Sequence, residues 1–87
     1  MGDKYKIVLR PAARRDSDSL DRVSFNRILS KINVLKIDAR PPGSKKLVGR
    51  DNEYRLRIGN YRVLYEIDDK EMVVRIFRVL HRREAYR

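Results

Sequence analysis

Residues 54–67 read Tyr54-Arg-Leu-Arg-Ile-Gly-Asn-Tyr-Arg-Val-Leu-Tyr-Glu-Ile67, two alternating segments joined by Gly-Asn. Period-two alternation is typical of β-strands, and a Gly-Asn pair between two such segments indicates a tight hairpin turn. After the turn Asp68-Asp69-Lys70, a third β-forming segment follows. The sequence therefore predicts an antiparallel three-strand meander over Tyr54–Ile58, Tyr61–Ile67 and Met72–Leu80.

The N-terminal half of the chain predicts a strand followed by two helices. The β-forming residues 4–10 stop at Pro11, a residue suited to the first position of a helix. The segment Ala12–Asp21 is strongly polar and shows little apolar periodicity. Beyond Ser24, which we take as a helix cap, apolar residues recur at helical spacing, namely Phe25, Ile28, Leu29, Ile32 and Leu35.

Residues 39–50 contain two prolines and two glycines, which predict a surface loop without regular structure. The expected fold is α+β. It has an N-terminal strand, two helices packed on one face of a mainly antiparallel four-stranded sheet, and a short C-terminal helical turn.

Size and charge limit the functions that the chain can perform. Its 87 residues predict a single domain over 1–87, and 22 Lys and Arg against 12 Asp and Glu give a net charge of +10. Residues 1–44 hold ten bases and five acids and residues 45–87 hold twelve and seven, so each half carries +5. A basic surface spread over the whole domain favours a polyanionic partner, first of all nucleic acid.

The location expected from the sequence is cytoplasmic. The chain contains no cysteine, which suits a reducing cytosol and excludes both a disulfide framework and a thiolate zinc site. Its first apolar stretch, Tyr5–Val8, is interrupted by Lys6 and is far shorter than a secretory segment. We predict no membrane-spanning segment, no metal site and no cofactor.

Three arginines are the first candidate functional residues. Alternation places Arg55 and Arg57 on one face of their strand and Arg62 on the more polar face of the next strand. If the two faces coincide, all three arginines converge on the uncovered side of the sheet near the hairpin. The competing interpretation for any one of them is a solvated arginine paired with Glu53 or Glu66.

The C-terminal segment His81-Arg-Arg-Glu-Ala-Tyr-Arg87 supplies a second cluster. In a helical turn, Arg82 and Tyr86 stand at i,i+4, where the guanidinium favours a phenolate. Tyr86 then becomes a proton acceptor or a platform for base stacking; alternatively it is an exposed terminal aromatic residue. His81 has no second histidine or cysteine for a metal site, and a surface histidine is the simpler interpretation.

Other catalytic patterns are missing from the sequence. It contains no Gly-rich phosphate loop, no nucleophile elbow and no closely spaced acidic set for magnesium. The chemistry that suits an arginine-rich site is RNA transesterification, in which the 2′-hydroxyl attacks the adjacent phosphate. The substrate brings its own nucleophile, and arginines stabilise the charge that develops on the phosphorane.

The two strings 54–65 and 81–87, together with Pro-Pro-Gly-Ser-Lys-Lys-Leu at 41–47, resemble the RelE branch of the RelE/ParE toxin superfamily. The resemblance implies a type II toxin that cleaves mRNA in the ribosomal A site and is neutralised by a cognate RelB-like antitoxin. It implies transition-state stabilisation by Arg62, a leaving-group role for Arg82, and stacking on or activation of the nucleotide by Tyr86. It matches Arg55 and Arg57 to basic strand positions that contact the RNA backbone. Further candidate RNA-binding residues are Lys45, Lys46, Arg78 and His81.

Two other functions remain open. The ParE branch shares the fold but inhibits DNA gyrase without nuclease activity, and a basic module that only binds RNA is the third possibility. As partners we expect the ribosome, mRNA and an antitoxin that covers the open sheet face or displaces the last residues. A toxin-antitoxin heterotetramer is one possible assembly.

Overall fold

The computed structural model describes residues 3–85, which form one mixed sheet with helices. In chain order the elements are β1 (Lys6–Leu9), α1 (Pro11–Asp18), α2 (Arg22–Leu35), β2 (Ser44–Lys46), β3 (Glu53–Ile58), β4 (Tyr61–Asp68), β5 (Val73–His81) and α3 (Arg82–Ala85). The strand order is β1-β5-β4-β3-β2, with β1 parallel to β5 and the other pairs antiparallel. The predicted α+β architecture and short C-terminal helix are confirmed.

The sheet has five strands in the described residues, so the predicted count of four is wrong. The fifth, β2, lies in the segment expected to be an irregular loop, and it pairs with β3 through Ser44–Leu56, Lys45–Arg55 and Lys46–Tyr54. Gly43 turns the chain into this strand with φ +95°, a region open to glycine. The prolines precede the strand, where their missing N–H groups interrupt no strand pairing.

A proline and a capping aspartate determine where the two long helices begin. Pro11 occupies the first turn of α1, as its fixed φ favours. The start of α2 differs from the prediction, because Asp21 and not Ser24 is the cap: its Oδ2 accepts a hydrogen bond from the Ser24 amide at 3.1 Å. The helix therefore begins at Arg22, and three residues predicted to precede it belong to its first turn.

The core lies between α1, α2 and one face of the sheet. Its buried side chains come from the strands, from both helices and from the segment before β2: Ala13, Ile28, Ile32, Leu35, Ala39, Leu56, Ile58, Val63, Tyr65, Ile67, Val74, Ile76 and Val79. Phe25 and Leu29, which share the predicted stripe, remain 39% and 43% exposed. The helices thus cover one sheet face and leave part of the α2 stripe open to solvent.

Tyr65 connects this core to the segment that leads into β2. Its fully buried hydroxyl donates a 2.8 Å hydrogen bond to the Ala39 carbonyl, its ring stacks on Tyr54, and burial raises the pKa of Tyr65 to about 12. The hydrogen bond holds residue 39 beneath the sheet, next to the turn that starts β2.

We predict that Tyr65→Phe lowers the free energy of unfolding by about 1–2 kcal/mol, because the Ala39 carbonyl is left buried without a donor. The matched control is Tyr61→Phe, since residues 3–85 supply no hydrogen-bond partner for the Tyr61 hydroxyl. Urea denaturation measures both variants. Equal stability of the two would contradict a structural role for the Tyr65 hydroxyl.

Candidate nucleic-acid interface

Cross-strand pairing places basic side chains together on the sheet face opposite the helices. Arg57 lies opposite Arg62, and Lys45 and Leu64 flank Arg55 in the next row. Residues opposite each other across a strand pair share a face. We call this surface the arginine face; it consists of Lys45, Arg55, Arg57, Arg62 and Arg78.

Arg78 reaches the arginine face because of a β-bulge. The register between β4 and β5 shifts between Leu64 and Tyr65, so that Leu64 pairs with Arg78 while Tyr65 pairs with Ile76. Strict alternation would place Arg78 on the same face as Ile76, which is buried in the core. The extra residue instead brings Arg78 to the polar face and Val79 into the core.

Arg62 is the one member of the arginine face that is buried, with only 5% of its surface exposed. Its Nη1 donates to the carbonyl oxygens of Tyr61 at 3.0 Å and Gly59 at 3.3 Å, both at the β3–β4 hairpin. The predicted face of Arg62, opposite the helices, is confirmed. The competing interpretation of a solvated side chain is wrong for Arg62, because the residue is buried. A guanidinium held in low dielectric beside Arg57 interacts strongly with an incoming anion.

Arg82 meets the same hairpin from the other end of the chain. Its amide donates a 2.6 Å hydrogen bond to the Asn60 carbonyl, next to Gly59. The two chain segments expected to form one site therefore meet at a single turn. Tyr86 lies outside the described residues, and its predicted role stays a prediction.

His81 has structural contacts that the sequence did not suggest. Its ring packs edge-on against Tyr61 with centroids 5.4 Å apart, and its Nδ1 accepts a 3.3 Å hydrogen bond from the Arg83 amide. The His81 amide in turn donates to Glu84 Oε1 at 3.2 Å. These bonds tie β5 to α3 and orient the turn that carries Arg82.

Two other predicted RNA-binding residues are arranged differently from Arg55 and Arg57. Lys46 pairs with Tyr54, so it lies on the opposite face of β2 from Lys45. Arg78 is 44% exposed in its side chain and makes a two-point contact with Asp16 of α1, with Nε to Oδ2 at 2.8 Å. Lys46 is thus separated from the arginine face, and the charge of Arg78 is partly neutralised.

Asp16 is a residue that sequence reasoning missed. Its Oδ2 also accepts a 2.9 Å hydrogen bond from the Val79 amide, on the stretch of β5 that extends beyond its pairing with β1. Burial alone would raise the pKa of Asp16, but the hydrogen bonds from Arg78 and Val79 outweigh it and hold that pKa below its usual range. No sequence signal identifies this contact, since it joins positions 62 apart.

Carboxylate side chains border the arginine face on the side away from the hairpin. Glu53 lies opposite Glu66, and Arg75 bridges Glu66 at 2.7 Å and Asp68 at 3.2 Å. A hydrogen bond from the Glu71 amide and then Arg75 lower the pKa of Asp68. The positive surface therefore ends one row beyond Arg55, and an anionic chain is directed toward the hairpin.

The fold and this surface define a class: a small basic α+β protein with an arginine-rich sheet face. The sequence profile of the ParE toxin of the type II toxin-antitoxin system parDE matches residues 7–86. The chain therefore belongs to this toxin family, of the RelE type.

Three relatives illustrate the similarity. The toxin RelE3 of Methanocaldococcus jannaschii is 40% identical over 57 residues, which take in 66% of this chain and 57% of that protein; the match spans little more than half of that relative. The archaeal RelE-RelB complex from Pyrococcus horikoshii has a chain with TM-score 0.81 and 26% identity, covering 91% of this chain and 96% of its own. The toxin-antitoxin complex RelBE2 from Mycobacterium tuberculosis has a chain with TM-score 0.66 and 31% sequence identity. The match covers 90% of this chain and 98% of that chain.

Membrane crossing by a helix finds no support in the described part of the chain. None of the helices within residues 3–85 combines the length and the apolar character that a membrane span needs.

The Asp16 contact predicts a specific acid sensitivity. Because the folded state lowers the pKa of Asp16, its stabilisation is present above the unfolded-state value of about 3.9 and is lost as pH falls below it. Asp16→Asn should therefore lower stability at pH 7 and show a smaller further loss between about pH 5 and 2. Urea denaturation across that range measures the difference.

The exposed carboxylate Asp18 on the same helix, replaced by Asn, is the control. Parallel stability profiles for Asp16→Asn and the unsubstituted chain would show that the Asp16 contact contributes nothing.

Proposed function

We propose that this toxin is a ribosome-dependent endoribonuclease that cleaves mRNA in the A site. The observation that carries the proposal is the meeting of Arg57, the buried Arg62 and the Arg82 backbone at one hairpin. Donors that are already fixed in place stabilise developing charge at little reorganisation cost, and this is the largest catalytic contribution available to such a surface. Relatives named as RelE toxins support the same function.

The proposed reaction is transesterification. The 2′-oxygen of the message attacks the adjacent phosphorus and forms a 2′-O–P bond, while the bond from phosphorus to the 5′-oxygen breaks. The 2′-hydroxyl loses its proton to a base, and the departing 5′-oxygen gains one. The products are a cyclic 2′,3′-phosphate and a 5′-hydroxyl, so atoms balance without water or an oxidant.

The residues of the arginine face and of the C-terminal segment have separate proposed roles. Arg62, held by two carbonyls, stabilises the extra negative charge on the phosphorane. Arg55 and Arg57 position the RNA backbone, and Arg82 acts on the leaving-group side. Tyr86 is proposed to stack on or activate the nucleotide.

A second candidate function is inhibition of DNA gyrase by binding alone. It is favoured by one observation, the match of residues 7–86 to the ParE toxin profile. Neither a buried Arg62 nor the link between Arg82 and the hairpin is required for it. A supercoiling assay with purified gyrase separates the two functions.

We predict that the protein cuts message on programmed ribosomes and leaves cyclic 2′,3′-phosphate ends. Arg62→Ala should lower the single-turnover rate by about 100- to 1,000-fold, the usual effect of removing one preorganised donor, and Arg62→Ala with Arg82→Ala should lower it further. Arg22→Ala, an exposed cation of α2, is the matched control and should cut normally. Sequencing of message ends and end-group analysis measure the outcome.

Intact message with the unsubstituted toxin would refute the nuclease proposal. Salt-sensitive RNA binding without cleavage would identify a basic binding module instead. Undiminished cutting by the double variant would exclude Arg62 and Arg82 from the mechanism.

We also propose a RelB-like antitoxin as the partner, as the RelE-RelB complexes from Pyrococcus horikoshii and Methanococcus jannaschii suggest. We propose a cytoplasmic location as well, because the proposed target, the ribosome, is found there. We still predict that the antitoxin covers the arginine face or displaces the last residues of the toxin. We also predict a toxin-antitoxin heterotetramer, and the mass of the purified complex tests this prediction.

A groove of about 770 Å³ adds a second anchoring surface for the antitoxin. It lies beside β1, whose outer edge is unpaired within the described sheet, and its apolar lining includes Leu9, Phe25, Leu29 and Met72, all more than a third exposed. An amphipathic segment can bury apolar side chains here and direct its acidic residues toward the basic surface.

Leu29→Asp should weaken antitoxin binding at least tenfold, because a carboxylate is placed in the apolar groove. Val23→Asp is the control: Val23 is 76% exposed on the same helix and does not line the groove. Isothermal titration with the cognate antitoxin measures both. Equal affinities would locate the antitoxin elsewhere.

A further inference from the structure

Arg27 of α2 rests against the β3–β4 hairpin from the helix side of the sheet. Gly59 in the turn has φ +57°, and a Cβ built there would lie 2.8 Å from Arg27 Nη1 and 3.0 Å from its Cζ. The guanidinium therefore occupies the space that a side chain at position 59 would fill. Glycine serves two purposes here, since it permits the turn and admits the arginine.

Three basic residues from three elements surround this turn. Arg62 of β4 donates to the Gly59 carbonyl, the amide of Arg82 in α3 donates to the Asn60 carbonyl, and Arg27 of α2 covers Gly59. Sequence reasoning did not single out Arg27, because in the chain it is only an exposed helix position.

Arg27 has no carboxylate partner in the part of the chain that the structure describes. The first turn of α2 contains no acidic residue. By contrast, Arg40, Arg50, Arg75 and Arg78 all have carboxylate partners. Arg27 thus extends the positive surface around the end of the sheet, from the arginine face to the helix side.

We propose that Arg27 binds a phosphate of the message that flanks the cleaved one, so that the RNA backbone passes over the hairpin and is held from both sides of the sheet. This inference rests on the proposed nuclease function and adds a residue to its substrate surface. A chain of phosphates fits Arg27 and Arg57, which lie beside the hairpin and have no carboxylate partner among residues 3–85. Guanidinium groups bind phosphate with two parallel hydrogen bonds. Arg27 is a positioning and binding residue and takes no part in proton transfer.

The test measures binding of the toxin to ribosomes programmed with a message that carries a 2′-deoxynucleotide at the cut and cannot be cleaved by 2′-attack. Arg27→Gln should weaken binding about tenfold and reduce the slope of log affinity against log salt by about 0.7, the value for one contact to single-stranded nucleic acid. Arg27→Lys should retain the slope. Lys31→Gln, one turn away on the same helix, should change neither quantity.

A methylphosphonate scan of the message identifies the phosphate. At one position flanking the cut, the neutral linkage should weaken binding of the unsubstituted toxin about tenfold and have no further effect on Arg27→Gln. If Arg27→Gln weakens binding but no methylphosphonate position in the message does so, Arg27 contacts ribosomal RNA instead, and the proposal is overturned. Affinity unchanged in Arg27→Gln would overturn it as well, and an effect of Arg27→Gln only on antitoxin affinity would assign this arginine to the antitoxin.

The two proposals fail in different ways. If the unsubstituted toxin binds these ribosomes in the predicted manner but does not cut an all-ribose message, the nuclease function fails and the Arg27 contact stands. If the toxin cuts the all-ribose message and Arg27→Gln matches Lys31→Gln, only the Arg27 contact fails. Thermal unfolding of each variant verifies the fold before binding is compared.

Discussion

The register of the β3–β4 hairpin is the constraint on which both the core and the basic surface depend. Leu56 opposite Val63 faces the helices, and Arg57 opposite Arg62 faces the other way, so one set of backbone hydrogen bonds fixes both layers. A slip by one residue would move arginines into the core and apolar side chains into solvent, a change that the buried face forbids. Hydrophobic burial therefore determines where the guanidinium groups lie.

Holding like charges together costs stability, and the structure offsets that cost locally. Carbonyl oxygens at the hairpin accept hydrogen bonds from the buried Arg62, and Asp16 accepts from Arg78 and from the Val79 amide. Farther along the sheet, Arg75 is paired with Glu66 and Asp68. The positive charge left without a carboxylate among residues 3–85 includes Arg27 and Arg57, both beside the hairpin. The proposed RNA substrate would supply negative charge there.

The sequence predicted the meander, the helix order and the face shared by Arg55, Arg57 and Arg62, because alternation and spacing are local properties. It missed β2, since an edge strand of three residues after two prolines leaves no periodic signal. It also missed the burial of Arg62, the Asp16–Arg78 pair and the position of Arg27. Each of these depends on contacts between distant segments, or on a bulge that reverses alternation at Arg78. Alternation along each strand thus predicted which side chains share a face. Tertiary packing determined which of the charged side chains lack a carboxylate partner.

The central claim is that the hairpin arginines promote attack by the message's own 2′-hydroxyl. The most direct measurement is single-turnover cleavage on ribosomes programmed with two messages that differ only by a 2′-deoxynucleotide on the 5′ side of the mapped cut. The account predicts complete loss of cutting at that site, with affinity of the toxin for the ribosome unchanged. Cutting of the deoxy-substituted message at the same site would contradict it, because the nucleophile would then come from elsewhere.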